Sequence, residues 1–115
     1  MKVLVCGGRN YGKTPKEKSF LYRVLDQVNP TMIIDGGAAG ADALAEGWAF
    51  KRAIPSKTYP ADWHIHGPAA GPMRNQKMLD EGKPDLVIAF PGGRGTADMV
   101  ARARKAGVEV REVSP

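Results

Sequence analysis

The chain has 115 residues, enough for one domain with a sizeable buried core. Its 43% hydrophobic and 25% charged residues are typical of a soluble globular protein and exclude a disordered one, and no apolar run approaches the roughly 20 residues of a membrane span. The formal charge of +5 raises the local concentration of anionic ligands, either nucleotides or nucleic acid, and does not choose between them.

Cysteine use and the start of the chain bear on the compartment. The single cysteine, Cys6, excludes an internal disulfide framework and is typical of a reducing environment. It ends an apolar run, so we interpret it as a small buried hydrophobe rather than a reactive thiol. No signal-peptide pattern opens the sequence, and we predict a cytoplasmic protein without a membrane partner.

The first half of the chain predicts a strand, a helix, a strand, a helix and a weak strand. In that order the segments are Lys2–Cys6, 16–28, 31–35, 41–53 and 54–59. Pro15 suits the first turn of the first helix, and Asn29-Pro30 stops it. Pro55 marks the start of the weak strand or an edge position, because proline donates no hydrogen bond to a sheet.

The second half predicts a loop, a short helix, a buried strand, a long helix and an edge strand. The segments are 60–72, 73–81, 86–90, 97–106 and 108–113. The loop is longer than most connections and is therefore expected to be functional. The unbroken apolar run over 86–90 is typical of a strand that is covered on both faces of a parallel sheet.

Strands that alternate with helices imply right-handed crossovers and a parallel sheet. We predict an α/β fold, a single Rossmann-like domain over 1–115 whose mostly parallel five-stranded sheet carries helices on both faces. Three strands end in glycine loops, at 7–8, 36–40 and 92–95. In a parallel sheet these loops share the carboxyl edge, where open α/β folds bind ligands.

The segment 85–98, DLVIAFPGGRGTAD, is the strongest candidate for an anion site. It reads as a strand, a glycine loop and a helix N-terminus, where backbone N–H groups and the helix dipole converge on one point. Glycine allows a phosphate to approach the backbone because no Cβ stands in the way. Thr96 or Gly95 is predicted to cap a helix that begins at Ala97.

A second glycine segment, GGRNYGKT over 7–14, fits the pattern of a nucleotide-hydrolysing phosphate loop, with Asp35 as a formal magnesium-associated carboxylate. That pattern requires its lysine and threonine to open a helix. Thr14 precedes Pro15, which disfavours helical backbone at Thr14. We interpret the match as accidental and keep a P-loop-type NTPase as an alternative.

Two further charged positions are candidates for the site. Asp42 either caps its helix or acts in the site, near a ribose hydroxyl or by shaping the glycine loop. Glu46, four residues later on the same helical face, reads as a solvated acid. Arg74, followed by Asn75, suits phosphate recognition because its planar guanidinium donates two parallel hydrogen bonds.

The long loop contains Trp63, His64 and His66, but no cysteine or further histidine that would complete a metal site. Trp63 either covers a base or pins the loop to the core, and the core role is slightly favoured. Basic residues are spread through the chain without interleaved aromatics, so no stacking platform for single-stranded nucleic acid is predicted.

Five segments together resemble the SLOG superfamily, in its YspA/YpsA-related branch. They are VCGGRNY at 5–11, GGAAGADALAEGWA at 36–49, ADW at 61–63, AGPMRNQKM at 70–78 and AFPGGRGTADM at 89–99. This superfamily comprises Rossmann-like relatives of the LOG cytokinin-nucleotide phosphoribohydrolases and of the Smf/DprA core. The resemblance implies a nucleotide-related ligand and a homo-oligomer, and the shared glycine motifs do not identify a substrate.

The resemblance extends to binding better than to catalysis. In the phosphoribohydrolases the motif PGGxGTxxE supplies a catalytic glutamate, and the matching residue here is Met99, which cannot act as a general acid. Arg74 matches the family's arginine, and Asn75 stands where a lysine is usual. Asp98 is rotated by about 100° from the glutamate direction and is expected to cap the helix instead.

We therefore predict binding, sensing or sequestration of a nucleotide-derived phosphate-bearing ligand, such as a nucleoside phosphate or an ADP-ribose-like signal, without hydrolysis, cofactor or metal. The predicted ligand-binding residues are Gly8, Arg9, Gly37, Ala38, Gly40, Asp42, Arg74, Asn75, Pro91, Gly92, Gly93, Gly95 and Thr96. No catalytic residue is assigned. The alternatives are a LOG-like hydrolase that cleaves an N-glycosidic or phosphoester bond of nucleoside monophosphates, with Asp42 or Asp98 as the acid, and a module that binds nucleic acid.

Overall fold

The computed structural model describes all 115 residues and contains one five-stranded sheet. The strands are β1 (Lys2–Cys6), β2 (Met32–Asp35), β3 (Ser56–Thr58), β4 (Leu86–Ala89) and β5 (Glu109–Glu112). They lie in the order β3-β2-β1-β4-β5, and every neighbouring pair is parallel. The predicted Rossmann-like α/β fold is confirmed.

Five helices connect the strands. They are α1 (Pro15–Val28), α2 (Ala41–Lys51), α3 (Trp63–His66), α4 (Ala70–Gly82) and α5 (Arg94–Lys105), with a 3₁₀ turn at Gly67–Ala69. None of them combines the length and the apolarity needed to cross a bilayer.

Two hydrophobic clusters cover the two faces of the sheet. On one face Val3 and Val5 pack with α1 and α2, whose buried side chains include Leu21, Leu25 and Trp48. On the other face Leu4 and Cys6 pack with α4 and α5. The alternation along β1 follows from the two-residue period of a strand, and each fully buried large apolar side chain contributes about 1.5–3 kcal/mol.

The strand order fixes the place of a crevice. From β1 the chain moves outward through β2 to β3, and it then returns to the other side of β1 to form β4 and β5. The direction of the crossovers therefore reverses between β1 and β4. Loops after these two strands diverge at such a switch point and leave a crevice beyond the carboxyl ends of the strands.

Two helices begin earlier than predicted. Helix α5 begins at Arg94 with Gly93 as its N-cap, so the predicted cap by Gly95 or Thr96 is wrong. Helix α4 begins at Ala70, and the predicted loop over 60–72 contains α3 and the 3₁₀ turn. Glycine and proline in the first turn concealed both starts. Proline is tolerated there because the first-turn N–H groups have no intrahelical partner, and glycine only lowers the helix propensity.

The 7–14 segment lacks the geometry of a phosphate loop. Thr14 is extended, with φ −109° and ψ 152°, and its hydroxyl accepts a hydrogen bond from the N–H of Glu17 at 3.2 Å. Lys13 and Thr14 thus precede helix α1 instead of opening it, as the proline at position 15 predicted.

We predict that Thr14→Ala lowers the free energy of unfolding by about 0.5–2 kcal/mol, because it removes the N-cap of α1. Urea denaturation checks the loss, and Thr14→Ser, which keeps the hydroxyl, should restore most of the stability. Since Thr14 lies outside the crevice, ligand binding should survive the alanine change. If folded Thr14→Ala loses ligand binding, Thr14 takes part in the site and this prediction is wrong.

Candidate functional site

The backbone of Gly8 joins the three glycine loops. Its N–H donates to the carbonyl of Pro91 at 2.9 Å, and its own carbonyl accepts from the N–H groups of Tyr11 at 3.1 Å and Ala41 at 3.2 Å. The loop after β1 is thereby bonded to the loop after β4 and to the start of α2. These bonds fix the geometry of the crevice from main-chain atoms alone.

The glycines have two different roles. A Cβ on Gly40, where φ is +79°, would overlap the carbonyl oxygen of Gly8, and a Cβ on Gly92 would lie 2.7 Å from the nitrogen of Gly8. These two positions need glycine so that the loops can approach each other. A Cβ on Gly93 or Gly95 would meet nothing within 4 Å. Their missing side chains leave open space beside the backbone.

A cleft of about 640 Å³ opens at this edge of the sheet. Nine of the predicted ligand-binding residues line it: Gly8, Arg9, Ala38, Asp42, Arg74, Asn75, Gly93, Gly95 and Thr96. The other four lie in the same loops but outside the lining: Gly37, Gly40, Pro91 and Gly92. Gly40 and Gly92 are packed between loops, the Pro91 carbonyl is bonded to Gly8, and a Cβ on Gly37 would point at Thr58.

The N-terminus of α5 presents unused donors to this cleft. The N–H groups of Gly93, Arg94, Gly95 and Thr96 donate to no acceptor in the protein, and the first helical bond comes from Ala97 to the Gly93 carbonyl at 3.0 Å. The helix dipole adds a positive potential at the same place. Unpaired N–H groups beside open space can donate hydrogen bonds to an anion at close range.

Arg74 is bonded to the loop after β2 and to its neighbour in α4. Its Nη1 donates to the carbonyl of Gly36 at 2.8 Å, and its Nε donates to Asn75 Oδ1 at 3.0 Å. Burial lowers the pKa of the guanidinium, which Asp42 partly offsets. Nη2 donates to no protein acceptor, so part of the fork remains free for a ligand.

Asn75 and Asp98 connect α4 to α5. The buried Asn75 amide donates from Nδ2 to the Gly95 carbonyl at 3.2 Å and to Asp98 Oδ2 at 2.9 Å. Asp98 Oδ2 also accepts from Arg102 Nε at 2.9 Å. Asp98 is the fifth residue of α5 and lines the cleft, so the predicted capping role is wrong.

Asp42 shapes the loop after β2. The N-cap of α2 is Gly40, and Asp42 Oδ2 accepts from the N–H groups of Gly36 at 3.0 Å and Ala38 at 3.2 Å. The loop-shaping interpretation is the one that this geometry supports. Burial raises the pKa of the Asp42 carboxyl to about 6, against the lowering effect of these amides and of Arg74. Oδ1 accepts no hydrogen bond from the protein and remains accessible.

Two other carboxylates lie behind Asp42. Asp35 is fully buried and accepts from the Gly37 N–H at 2.7 Å, and burial raises the pKa of its carboxyl to about 7. Glu46 accepts from the Thr58 hydroxyl at 3.0 Å, so it is more than a solvated acid. Neither residue lines the cleft.

Trp63 stands at the cleft, not in the core. Its side chain is 48% exposed and belongs to neither hydrophobic cluster, so the slightly favoured core role is wrong. The ring packs against Gly71, whose Cβ would lie 3.1 Å from it, and the Arg9 guanidinium carbon is 5.7 Å from the ring centroid. Together they form a flat cationic and aromatic surface at the cleft.

Met99 is fully buried in the cluster between the sheet and α5. The position where the phosphoribohydrolase motif has a glutamate therefore faces the core. No group of three or more His, Cys, Asp or Glu side chains is placed to hold a metal ion.

Sequence reasoning missed several residues of the lining. Arg94 lies inside the glycine loop and points to the same anion chemistry, so its position was a usable signal. Pro68, Gly71 and Pro72 come from the segment whose length suggested function. Val5 and Met78 also line the cleft, and nothing in an apolar run distinguishes them from core residues.

Comparisons with known proteins agree with this architecture. The model of the YspA, cpYpsA-related SLOG family matches residues 1–66. The Gene 61 protein of Mycobacterium phage D29 is 33% identical over 121 residues, which covers 95% of this chain and 93% of that protein.

Two solved structures share the fold at low identity. DNA processing protein A (DprA) from Streptococcus pneumoniae superposes with a TM-score of 0.78 at 19% identity, over 99% of this chain and 50% of that one. Acinetobacter baumannii MurG superposes with a TM-score of 0.58 at 14% identity, over 96% of this chain and 34% of that one. The chain thus spans about half of DprA and a third of MurG.

The two buried carboxyls predict a pH dependence of stability. Their pKa values of about 7 for Asp35 and about 6 for Asp42 lie above the ~3.9 of an unfolded chain, so between these limits the folded state binds more protons. Their contribution is complete below about pH 4 and is lost as the pH rises toward 7.

Asp35→Asn should flatten this decline, because the amide keeps the hydrogen bond to Gly37 and does not ionise. Urea denaturation between about pH 4.5 and 7.5 measures the slope. The exposed Asp80→Asn is the control and should leave the slope unchanged. A wild-type protein whose stability increases over this interval would contradict the assignment.

Proposed function

Because this chain belongs to the YspA, cpYpsA-related SLOG family, we propose that it binds a nucleotide-derived, phosphate-bearing ligand in the cleft at the carboxyl ends of β1 and β4. The observation that carries the proposal is the row of unbonded N–H groups over 93–96 beside the open space at Gly93 and Gly95.

The phosphate end of the ligand belongs at this row of amides. Arg9, Arg74 and Arg94 line the same cleft and form no ion pair. A helix terminus contributes about 0.3–1 kcal/mol and a charge-assisted hydrogen bond about 1.5–3 kcal/mol. Micromolar affinity needs about −8 kcal/mol. Several of these donors must therefore act together, and the cleft brings them within one small volume.

The nucleoside end belongs at three other residues of the lining, Trp63, Arg9 and Asp42. The Trp63 ring and the Arg9 guanidinium offer a flat surface on which a base can stack. Oδ1 of Asp42 is free to accept a hydrogen bond from a ribose hydroxyl. A ligand with phosphate, sugar and base would use all three kinds of group.

The residues at and beside the position of the family's catalytic glutamate, Met99 and Asp98, favour binding, sensing or sequestration of the ligand over its hydrolysis. Met99 is in the core, and Asp98 is bonded to both Asn75 and Arg102. Asp98 Oδ2 is thus already engaged by two partners, and no acid stands where the phosphoribohydrolase motif has its glutamate.

One observation favours hydrolysis of nucleoside monophosphates as a second candidate. Asp42 lines the cleft with a free Oδ1 and a pKa raised to about 6, which suits a general acid. Chromatography for free base or phosphate after incubation with nucleoside monophosphates tests it. Product released by the wild type and absent with Asp42→Asn would establish an enzyme.

Gly95→Ala separates ligand binding from folding. The added methyl enters open space in the first turn of α5, where alanine is the better helix former, so thermal stability should be unchanged or higher. The same methyl covers the amides, and affinity should fall at least about tenfold, or about 1.4 kcal/mol. Calorimetric titration with AMP, ADP and ADP-ribose measures it.

The matched control is Gly47→Ala. Gly47 is also a helical glycine whose Cβ would meet no atom nearer than 3.7 Å, and it lies outside the cleft. It should keep wild-type affinity. If none of the three probes binds the wild type, or if both variants bind equally well, the proposal is wrong.

Trp63→Leu tests the base end. It should weaken AMP binding by about tenfold, because base–aromatic stacking contributes about 1–3 kcal/mol, and should leave inorganic phosphate binding unchanged. Competition between phosphate and AMP on the same protein measures both. Equal weakening of the two ligands would assign Trp63 to the shape of the cleft instead.

Subunit pairing stays a prediction from the family. Ile65 and Met73, near the cleft, are 69% and 49% exposed and are candidates for the contact. Light scattering measures the mass in solution, and we expect an oligomer for the wild type and a monomer for Ile65→Asp.

A further inference from the structure

A second surface with a distinct chemistry lies on helices α1 and α2. We call it the α1–α2 surface, and it consists of Lys18, Tyr22, Arg23, Phe50, Lys51 and Arg52. None of these residues lines the cleft. A shallow hollow of about 450 Å³ runs along α1 beside Tyr22.

Three cations surround the Tyr22 ring. The Nζ atoms of Lys18 and Lys51 lie 5.6 Å and 5.3 Å from its centroid, and the guanidinium carbon of Arg52 lies at 5.6 Å. The hydroxyl of Tyr22 reaches over Gly47, where a Cβ would stand 3.7 Å away. The ring therefore lies across the junction of the two helices, with cations from both around it.

This concentration of positive charge is poorly compensated. Asp26 is the carboxylate that lines the hollow, and it accepts from Arg52 at 3.0 Å and from Trp48 Nε1 at 2.9 Å. Lys18, Arg23 and Lys51 form no ion pair. Like charges gathered around one ring repel each other, and a polyanion would relieve that repulsion.

Phe50 adds an unused aromatic ring. Its side chain is 87% exposed and contributes to neither core cluster. It directly precedes Lys51 and Arg52 in the chain. Successive helical residues point about 100° apart, so the Phe50 ring is separate from the cluster around Tyr22. A single strand that spans both could place bases on the ring and phosphates on the cations.

We propose that the α1–α2 surface binds single-stranded nucleic acid, independently of the ligand in the cleft. An anionic bilayer fits less well, because insertion needs a broad apolar face and Phe50 is the one strongly exposed apolar side chain here. A second copy of the chain fits less well, because a symmetric contact would bring the same cations together. The sequence shows no such platform, because residues of α1 and α2 come together only in the folded chain.

The test is fluorescence anisotropy of a labelled oligothymidylate of about 20 nucleotides, titrated at salt concentrations between about 50 and 200 mM. The double variant Lys18→Ala/Lys51→Ala should lose about tenfold in affinity at the lower salt. Its salt slope should fall by about 1.4, since each phosphate contact to a single strand contributes about 0.7. Phe50→Ala should lose about tenfold with an unchanged slope.

The matched control is Lys77→Ala/Lys105→Ala, which removes the same charge from exposed positions on α4 and α5. It should change the affinity by no more than about twofold. Gly95→Ala should bind the oligonucleotide as the wild type does. The proposal is overturned by no binding at about 50 mM salt, by equal losses in the two double variants, or by retention on phosphatidylserine vesicles without oligonucleotide binding.

Discussion

The hydrogen bonds of Gly8 hold three separate connections of the fold at contact distance, and the rest of the site depends on them. A backbone N–H bonded to Pro91 and a backbone carbonyl shared by Tyr11 and Ala41 need no side chain to operate. They do need glycine at the neighbouring positions, since a Cβ on Gly40 or Gly92 would occupy the space of the opposite loop. The geometry of the cleft thus depends first on main-chain packing at this end of the sheet.

The polar network behind the loops depends on side chains instead, because it buries Asp35 and Asp42 and half-buries Arg74. Asp42 organises the loop after β2 by accepting hydrogen bonds from two backbone N–H groups, and Arg74 fixes the same loop by donating to the Gly36 carbonyl. Burying these groups is costly unless each finds partners, and burial raises the pKa of both Asp35 and Asp42. The hydrogen bonds of these groups offset part of the desolvation cost and hold the loop in one conformation. A preorganised cleft loses less free energy when a ligand enters it.

The two proposed surfaces divide the molecule. The cleft uses backbone amides and partly committed arginines, which suits a small ligand of defined shape. The α1–α2 surface uses lysines without ion pairs and the exposed Phe50 ring, which suits a repeating polyanion. They share helix α2 but have no residue in common, so we expect variants of one to leave the other intact.

Local sequence patterns were sufficient to predict the α/β class, the parallel sheet with helices on both faces, the glycine loops at its carboxyl edge and the extended backbone at Thr14. These features follow from local periodicity and from the steric rules for glycine and proline, which act over a few residues. The folded chain was needed to show which glycines line the cleft, that Met99 faces the core and that Trp63 stands at the cleft. It was also needed to show that Lys18, Lys51 and Arg52 meet around Tyr22. Such outcomes depend on the rotation of each helix and on contacts between distant segments, and no local pattern contains that information.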